Sequence, residues 1–402
     1  YYETPHLDQL MSEGVSFSQA YANQLCSPTR ASLLTGKYAA RLGVTTATGP
    51  EPTYFNTNLE TPEGSYIHDC LYHVDPIKTQ QVWVNGSSSS AVPAGTQYDN
   101  GRDELSLAEV LEDYHSSFIG KWHIGGHGSK GYQPSDQGFE ELVYWDAPGS
   151  VYFDWKNEWL APFDHVNSKY APYKDIPKRP NNYFVTGNIG EETGKEYLTD
   201  DLTAQAVNFI NKRATIKDEP FFLYFCHFAV HTPLQGRVQD IQHFENKESK
   251  GWNNHVSPVY ASMVKSLDES VGSIMKALEK NGLENNTLVV FMSDNGGIST
   301  KIAHKGTYTD NSPFLGGKAN VTEGGIRVPL IFRWKNNIKG GQWSDIAVDC
   351  SDILPTFTDI AGYNVNEIIK TNDLDGRSFA SLLYDVSNLK KGYKKNIRYW
   401  YY

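Results

Sequence analysis

Cys26 and Arg30 stand four residues apart in the stretch CSPTR, with Pro28 between them. Proline fixes φ near the helical value and lacks the N–H that a first turn leaves unpaired, so Pro28 predicts a helix over Pro28–Thr35 closed by Gly36. Cys26 then sits just before the helix N-terminus, where free backbone N–H groups and the helix dipole favour an anion. Arg30 adds a planar fork of donors suited to an oxyanion. Two readings fit these residues equally: a nucleophile in an electropositive pocket, and a small buried thiol beside a salt-bridged arginine.

Other candidates for chemistry come directly after apolar runs of strand length. SSFIG leads into Lys121, His123 and His127. PFFLYFC leads into His227 and His231, and TLVVFM into Asp294, Asn295, Gly296 and Gly297. Lys318 stands behind two glycines in AHKGTYTDNSPFLGGKAN. In open α/β sheets ligands bind beyond the carboxyl ends of the strands. Singly, each signal is weak: a lone histidine is more often packed than catalytic, DNGG is commonly a turn, and GGK is commonly a flexible loop. Their shared position is what carries weight, because several strands aim cations, oxygen donors and proton carriers at one edge.

The elements that would position them read as alternating helices and strands. TPHLDQLMSEGV, LSLAEVLEDY and LTAQAVNFINKR have helical patterns. The clearest helix is SMVKSLDESVGSIMKALEKNGL, with Met263, Leu267, Val271, Ile274 and Leu278 at spacings of three and four. VPLIFRW reads as a further strand, and CSDILPTFTDIAGY as a further helix. The pattern predicts an α/β fold with a mixed, mainly parallel central sheet sandwiched by helices. One domain is expected over residues 1–390, with long surface insertions near 45–102 and 149–194. Trp83, Tyr152, Trp155 and Trp159 in those insertions either stack on sugar rings or pack a loop.

The formal net charge of −11 argues against nucleic acid as a partner. No apolar run is long enough to span a bilayer. The four cysteines show no CxxC spacing, so neither a zinc site nor a redox pair is indicated.

CSPTRASLLTG, GKWHIG, VHTPL, SDNGG and NSPFLGGKANVTEGGIRVP, in this order and on these elements, resemble the motifs of the formylglycine-dependent sulfatases, in the alkaline-phosphatase-like superfamily. TPHLDQLMSEGVSFSQAYA and DILPTFTDIAGY resemble that family's framework. The resemblance implies hydrolysis of sulfate esters, with sulfated carbohydrates as the expected substrates. It implies that a maturation enzyme oxidises Cys26 to formylglycine, whose hydrated form is the nucleophile, and that Arg30 holds the product. Asp294, Asn295 and the modified Cys26 would bind one calcium ion, and Lys121 would neutralise sulfate oxygens. Lys318 and His231 would contact the sulfate near the leaving oxygen, one of them giving its proton. His123 would deprotonate the second hydroxyl and expel sulfate.

The resemblance further implies two consecutive aspartates on a strand upstream of Tyr1, as ligands of the same metal. It also implies a small C-terminal subdomain that 391–402 only begins and that is otherwise largely absent. The expectation is therefore a portion of a longer protein that is periplasmic, secreted or lysosomal. Two alternatives share the scaffold: a phosphonate or phosphate ester hydrolase, and a catalytically dead protein that binds sulfated glycans.

Overall fold

A computed structural model describes residues 1–42, 104–124, 134–145, 197–248, 255–299 and 309–384, two strands at 65–69 and 81–85, and single residues at 44, 47, 149–150, 152–153 and 155. The chain begins with α1 (Pro5–Ser12), β1 (Val15–Phe17), β2 (Ala20–Tyr21), α2 (Cys26–Thr35), β3 (Ser65–Asp69) and β4 (Gln81–Asn85). Next come α3 (Leu107–Val110), β5 (His115–Lys121), β6 (Glu141–Trp145), α4 (Leu198–Arg213), β7 (Phe221–Cys226), α5 (Val238–Asn246), α6 (Pro258–Lys280) and β8 (Val289–Met292). The last are α7 (Glu323–Ile326), β9 (Leu330–Arg333), β10 (Gln342–Ser344), β11 (Val348–Asp349), α8 (Ile353–Ile360), α9 (Val365–Thr371) and α10 (Ala380–Tyr384).

The sheet is mixed. β5 lies between β6 and β7 and runs parallel to both. β1 pairs parallel with β10 and antiparallel with β9, which continues antiparallel to β8. β2 pairs parallel with β11. Helices cover both faces, and the two-residue period of the strands sorts side chains between them. Phe118, Phe222 and Tyr224 face the layer of α2, α8 and α10, where Leu34, Leu354 and Phe379 are buried. Ile119, Leu223 and Phe225 face the layer of α4 and α6, with Leu202 and Met263. Ser257 caps α6 by accepting from the Tyr260 N–H, and Pro258 opens its first turn.

β7 and β8 are the inner ends of the two halves of this sheet. Among the described residues, β7 pairs with β5 alone and β8 with β9 alone. Their open edges border one cavity of about 1150 Å³, walled by both strands and by Leu267, Val271, Ile274 and Phe357. The cavity's polar end holds Arg30, Lys121, Asp294 and Lys318.

One expectation here needs correction. LSLAEVLEDY is helical only over Leu107–Val110, because the chain turns into β5 at His115; Ser106 and Glu109 still form a capping box. Within the stretch 45–102, the described residues form the antiparallel pair β3–β4. Of the two readings open for Tyr152 and Trp155, packing is the one the structure shows: both are buried in the core. Tyr152 stacks on Tyr197 at 5.6 Å, and its hydroxyl reaches the carbonyl oxygens of Phe228 and His231 at 2.8 and 2.9 Å. The Trp83 side chain, His127, Trp159 and 391–402 lie outside the described residues. Among the described residues, no helix is long and apolar enough to cross a membrane, and Cys26, Cys226 and Cys350 are free thiols.

Candidate active site

α2 starts two residues earlier than Pro28 predicts, so Cys26 is its first residue rather than the one before it. Leu25, extended at φ −140°, precedes the helix and gives no side-chain cap. Tertiary contacts hold the first turn instead. The Thr29 hydroxyl donates to the Asp294 carbonyl at 2.6 Å. One turn after Cys26, Arg30 donates from Nη1 to the Lys121 carbonyl at 2.6 Å. Its Nη2 and Nε reach Asp294 Oδ2 at 2.8 and 3.2 Å. A single helical turn thus fastens the ends of β5 and β8 to each other. The Cys226 thiol, at the end of β7, also lies against the Arg30 guanidinium.

Cys26 is buried, with His123 Nδ1 3.1 Å from its sulfur. His123 takes the left-handed backbone region at φ 55°, which turns its ring back over α2 as the chain leaves β5. Burial pushes the Cys26 thiol up, but the Lys121 ammonium and the His123 ring outweigh it and hold the thiol well below its usual value. Burial lowers Lys121, with partial relief from Cys26 and Asp294. Lys121 Nζ lies 4.0 Å from Asp294 Oδ2. Gly120, at φ +102°, lets β5 approach β7 here; a β-carbon would collide with the Cys226 carbonyl oxygen.

Burial alone would raise the Asp294 carboxyl. Arg30, Lys121 and Lys318 together hold it far below the carboxylate range. The Lys318 loop is tied in on two sides: Lys318 N–H donates to Gly297 O at 3.0 Å, and Ala319 N–H to Gln24 O at 2.9 Å. His231 gives its Nδ1–H to the Thr232 carbonyl at 2.7 Å, so Nε2 carries the lone pair. Burial, then Lys318 and Lys121, hold this ring well below its usual value, so it is neutral. The backbone of Gly149 backs the ring, leaving no room for a β-carbon.

The structure therefore brings Cys26, Arg30, Lys121, His123, His231, Asp294 and Lys318 into one cluster at the carboxyl edge of the sheet. Asn295 adjoins it. Its Oδ1 is buried without a hydrogen-bond partner, while its Nδ2 donates to Gly296 O at 2.9 Å. A buried oxygen left unpaired beside a carboxylate is suited to a hard cation. Among the described residues no group of three His, Cys, Asp or Glu could hold a metal ion, so Asp294 and Asn295 fit calcium as part of a ligand set. His227 does not join the cluster. It contacts Ser270 Oγ at 3.0 Å, and burial alone lowers it to about 3. Thr29 and Cys226 belong to the site yet carried no distinguishing sequence signal, apart from the place of Thr29 inside CSPTR.

Solved structures share this α/β architecture. Ps i-CgsB in complex with k-i-k-neocarrahexaose aligns with a TM-score of 0.64 and 28% identity, covering 94% of this chain and 70% of that one. The fold is that of the alkaline-phosphatase-like hydrolases. A family model for sulfatases matches residues 1–363, and the chain belongs to the sulfatase family. It is 28% identical over 433 residues to a sulfatase of Formosa agariphila, covering all of this chain and 70% of that protein. It is 30% identical over 364 residues to the N-acetylgalactosamine-6-sulfatase of Homo sapiens, covering 90% of this chain and 58% of that protein.

Proposed function

We propose that the protein hydrolyses sulfate esters of carbohydrates at the Cys26 cluster. The observation that carries this is the buried Cys26 thiol at a helix start, 3.1 Å from His123 and grouped with Arg30, Lys121 and Lys318 around Asp294. A thiol so placed is suited to conversion by a maturation enzyme into formylglycine, which supplies an oxygen nucleophile when hydrated. Calcium, held by Asp294 and Asn295 with further ligands, supplies positive charge beside the sulfate.

The chain's own residues divide the rest of the work. Arg30 fixes Asp294 and the end of β5 relative to Cys26. Lys121 and Lys318 face the sulfate oxygens. His123, kept neutral by burial, takes a proton from the oxygen that replaces the Cys26 sulfur. His231 has its Nδ1–H committed and Nε2 unprotonated, so it accepts a hydrogen bond and leaves the leaving-group proton to Lys318. Relatives that act on or bind sulfated sugars support a carbohydrate substrate. The family resemblance supports a periplasmic, secreted or lysosomal enzyme.

The test is coexpression with a formylglycine-generating enzyme. The Cys26 peptide should lose the mass of the sulfur-to-oxygen exchange and its hydrogens. Turnover of sulfated monosaccharides should appear together with that change and be absent in Cys26→Ala. Full activity in Cys26→Ala would sink the mechanism. Faster turnover of an aryl phosphonate than of any sulfate would favour the phosphonate alternative.

A further inference from the structure

The half of the site that carries Asn295 and Lys318 is built almost wholly of backbone. Three glycine pairs meet there: Gly296–Gly297, Gly316–Gly317 and Gly324–Gly325. Gly296 N–H donates to Gly325 O at 2.8 Å, Lys318 N–H to Gly297 O at 3.0 Å, and Gly324 N–H to Leu315 O at 2.9 Å. A β-carbon on Gly296 would collide with the carbonyl oxygen of Gly324, and one on Gly317 with that of Gly297. Segments packed this closely have no side chains of their own at the contact to interlock, so their register depends on hydrogen bonds.

One side chain reaches all three pairs. Asn311 Nδ2 lies 2.9 Å from Gly297 O, 3.1 Å from Gly316 O and 3.1 Å from Gly324 O. An amide has two N–H donors, so three carbonyl oxygens share them. The turn behind Asn311 is itself anchored. The Asn311 carbonyl accepts from Phe314 N–H at 2.9 Å. His255 bridges the Tyr2 hydroxyl, at 3.0 Å from Nδ1, and the Asp310 carbonyl, at 2.7 Å from Nε2. The chain's first residues thus brace the turn that presents Asn311.

We propose that Asn311 is a positioning residue: its amide clamps the Lys318 loop to the Asn295 loop and so fixes where Lys318 Nζ stands relative to Asp294. It touches no substrate. Its effect on turnover runs through Lys318 and rests on the sulfate-ester reading above. The clamp itself does not. Without the amide, Gly324 O loses its side-chain donor, while Gly297 O keeps only the Lys318 N–H at 3.0 Å and Gly316 O the Ser299 hydroxyl at 2.7 Å. The Lys318 loop is then held to the Asn295 loop more loosely and can shift against it.

Two variants and two readouts test this. Asn311→Ala removes the donor; Asn311→Asp keeps the shape and replaces the NH₂ with oxygen. Amide hydrogen exchange should quicken at Lys318 and Gly324 in both, with α6 and β5 unchanged. A displacement of order 1 Å costs up to about a hundredfold, so kcat on a sugar sulfate should fall by about ten- to a hundredfold with KM changing less. A nitrophenyl sulfate, whose leaving group needs no proton, should lose less. In a Lys318→Ala background Asn311→Ala should add little, because both act at one point.

Equal losses on both substrates, or a full loss added on top of Lys318→Ala, would overturn the proposal. So would unchanged exchange at Lys318 and Gly324. If neither variant folds, Asn311 serves general stability and the proposal is wrong. A protein inactive on every sulfate ester would refute the sulfatase reading instead, and exchange alone would then decide the clamp.

Discussion

Replacing Arg30 with lysine keeps the charge and discards the fork, so it tests whether geometry or charge alone holds the cluster. Arg30 spans two acceptors that face it from different strands: Asp294 Oδ2, reached from Nη2 at 2.8 Å and Nε at 3.2 Å, and the Lys121 carbonyl, reached from Nη1 at 2.6 Å. A lysine ammonium on a linear stem can serve one of them. Hydrogen bonds involving a charged group contribute about 1.5–3 kcal/mol each, and a buried acceptor left unpaired adds a desolvation cost. Losing the second acceptor and the two-point grip on the first should therefore destabilise the protein by about 2–4 kcal/mol. That is a large share of a stability of about 5–15 kcal/mol, yet the fold should survive.

Urea unfolding of the metal-free protein reads the loss directly, as a lower midpoint at unchanged slope. The same substitution in Asp294→Asn should cost less, because the charged acceptor has already gone; that difference is the coupling energy. If Arg30→Lys lies within about 0.5 kcal/mol of the parent, the size of an ordinary surface change, the three hydrogen bonds do not hold the site together.

The same geometry predicts three further outcomes. Burial holds His227 at about 3 against 6.5 in an open chain; the unfolded chain therefore takes up the proton first, and stability falls by up to about 1.4 kcal/mol per pH unit as pH drops from 6.5 towards 3, with no effect above 6.5. His227→Gln should flatten that acid limb in unfolding measured from pH 7 to 4, and superimposable limbs would show that the ring is not buried neutral. Asn295→Leu removes an unpaired buried oxygen, so metal-free stability should change by less than about 1 kcal/mol while calcium no longer raises the melting temperature; a calcium shift of undiminished size would exclude Asn295 as a ligand. His123→Ala in the matured enzyme should accumulate a sulfate adduct on the residue derived from Cys26, detectable by mass spectrometry. Loss of His231 should instead slow turnover without an adduct, and an adduct in His231→Ala alone would reverse the two roles.

Much of the site was legible because it consists of charged or nucleophilic side chains placed just after apolar runs. Lys121 ends β5, His123, His231 and Asp294 each stand shortly beyond the end of a strand, and Cys26 and Arg30 share the opening turn of a helix. The start of α2 was not legible. No capping side chain marks it, and what holds Cys26 and Ser27 in the helix is the contact of Thr29 with the Asp294 carbonyl, a residue far away in sequence. Tyr152 was ambiguous for a different reason. Its surroundings in sequence are polar and rich in Gly and Pro, and only the fold supplies the Phe228 and His231 carbonyls that satisfy its hydroxyl in the core. Asn311 escapes sequence reading altogether. A neutral amide that binds backbone leaves no pattern of charge or period, and its three partners are glycines distinguished by close approach.

The balance of charge bears on the metal. Arg30, Lys121 and Lys318 bring three formal positive charges to one end of the cavity, and Asp294 is the carboxylate they share. Unit charges 4 Å apart repel by about 4 kcal/mol at an effective dielectric of 20, so a doubly charged ion added here meets strong repulsion unless more anionic oxygen accompanies it. Calcium takes six to eight oxygen ligands, and Asp294 and Asn295 supply only part of that shell. The slot between β7 and β8 opens at this same end, walled by both strands and by the cluster itself. Further anionic oxygen ligands would complete the shell and offset the excess charge. Calcium affinity should therefore depend on the Asp294 charge, and Asp294→Asn should weaken it by about tenfold or more. Calorimetric titration of the parent and the variant measures it, and equal affinities would exclude Asp294 as a ligand.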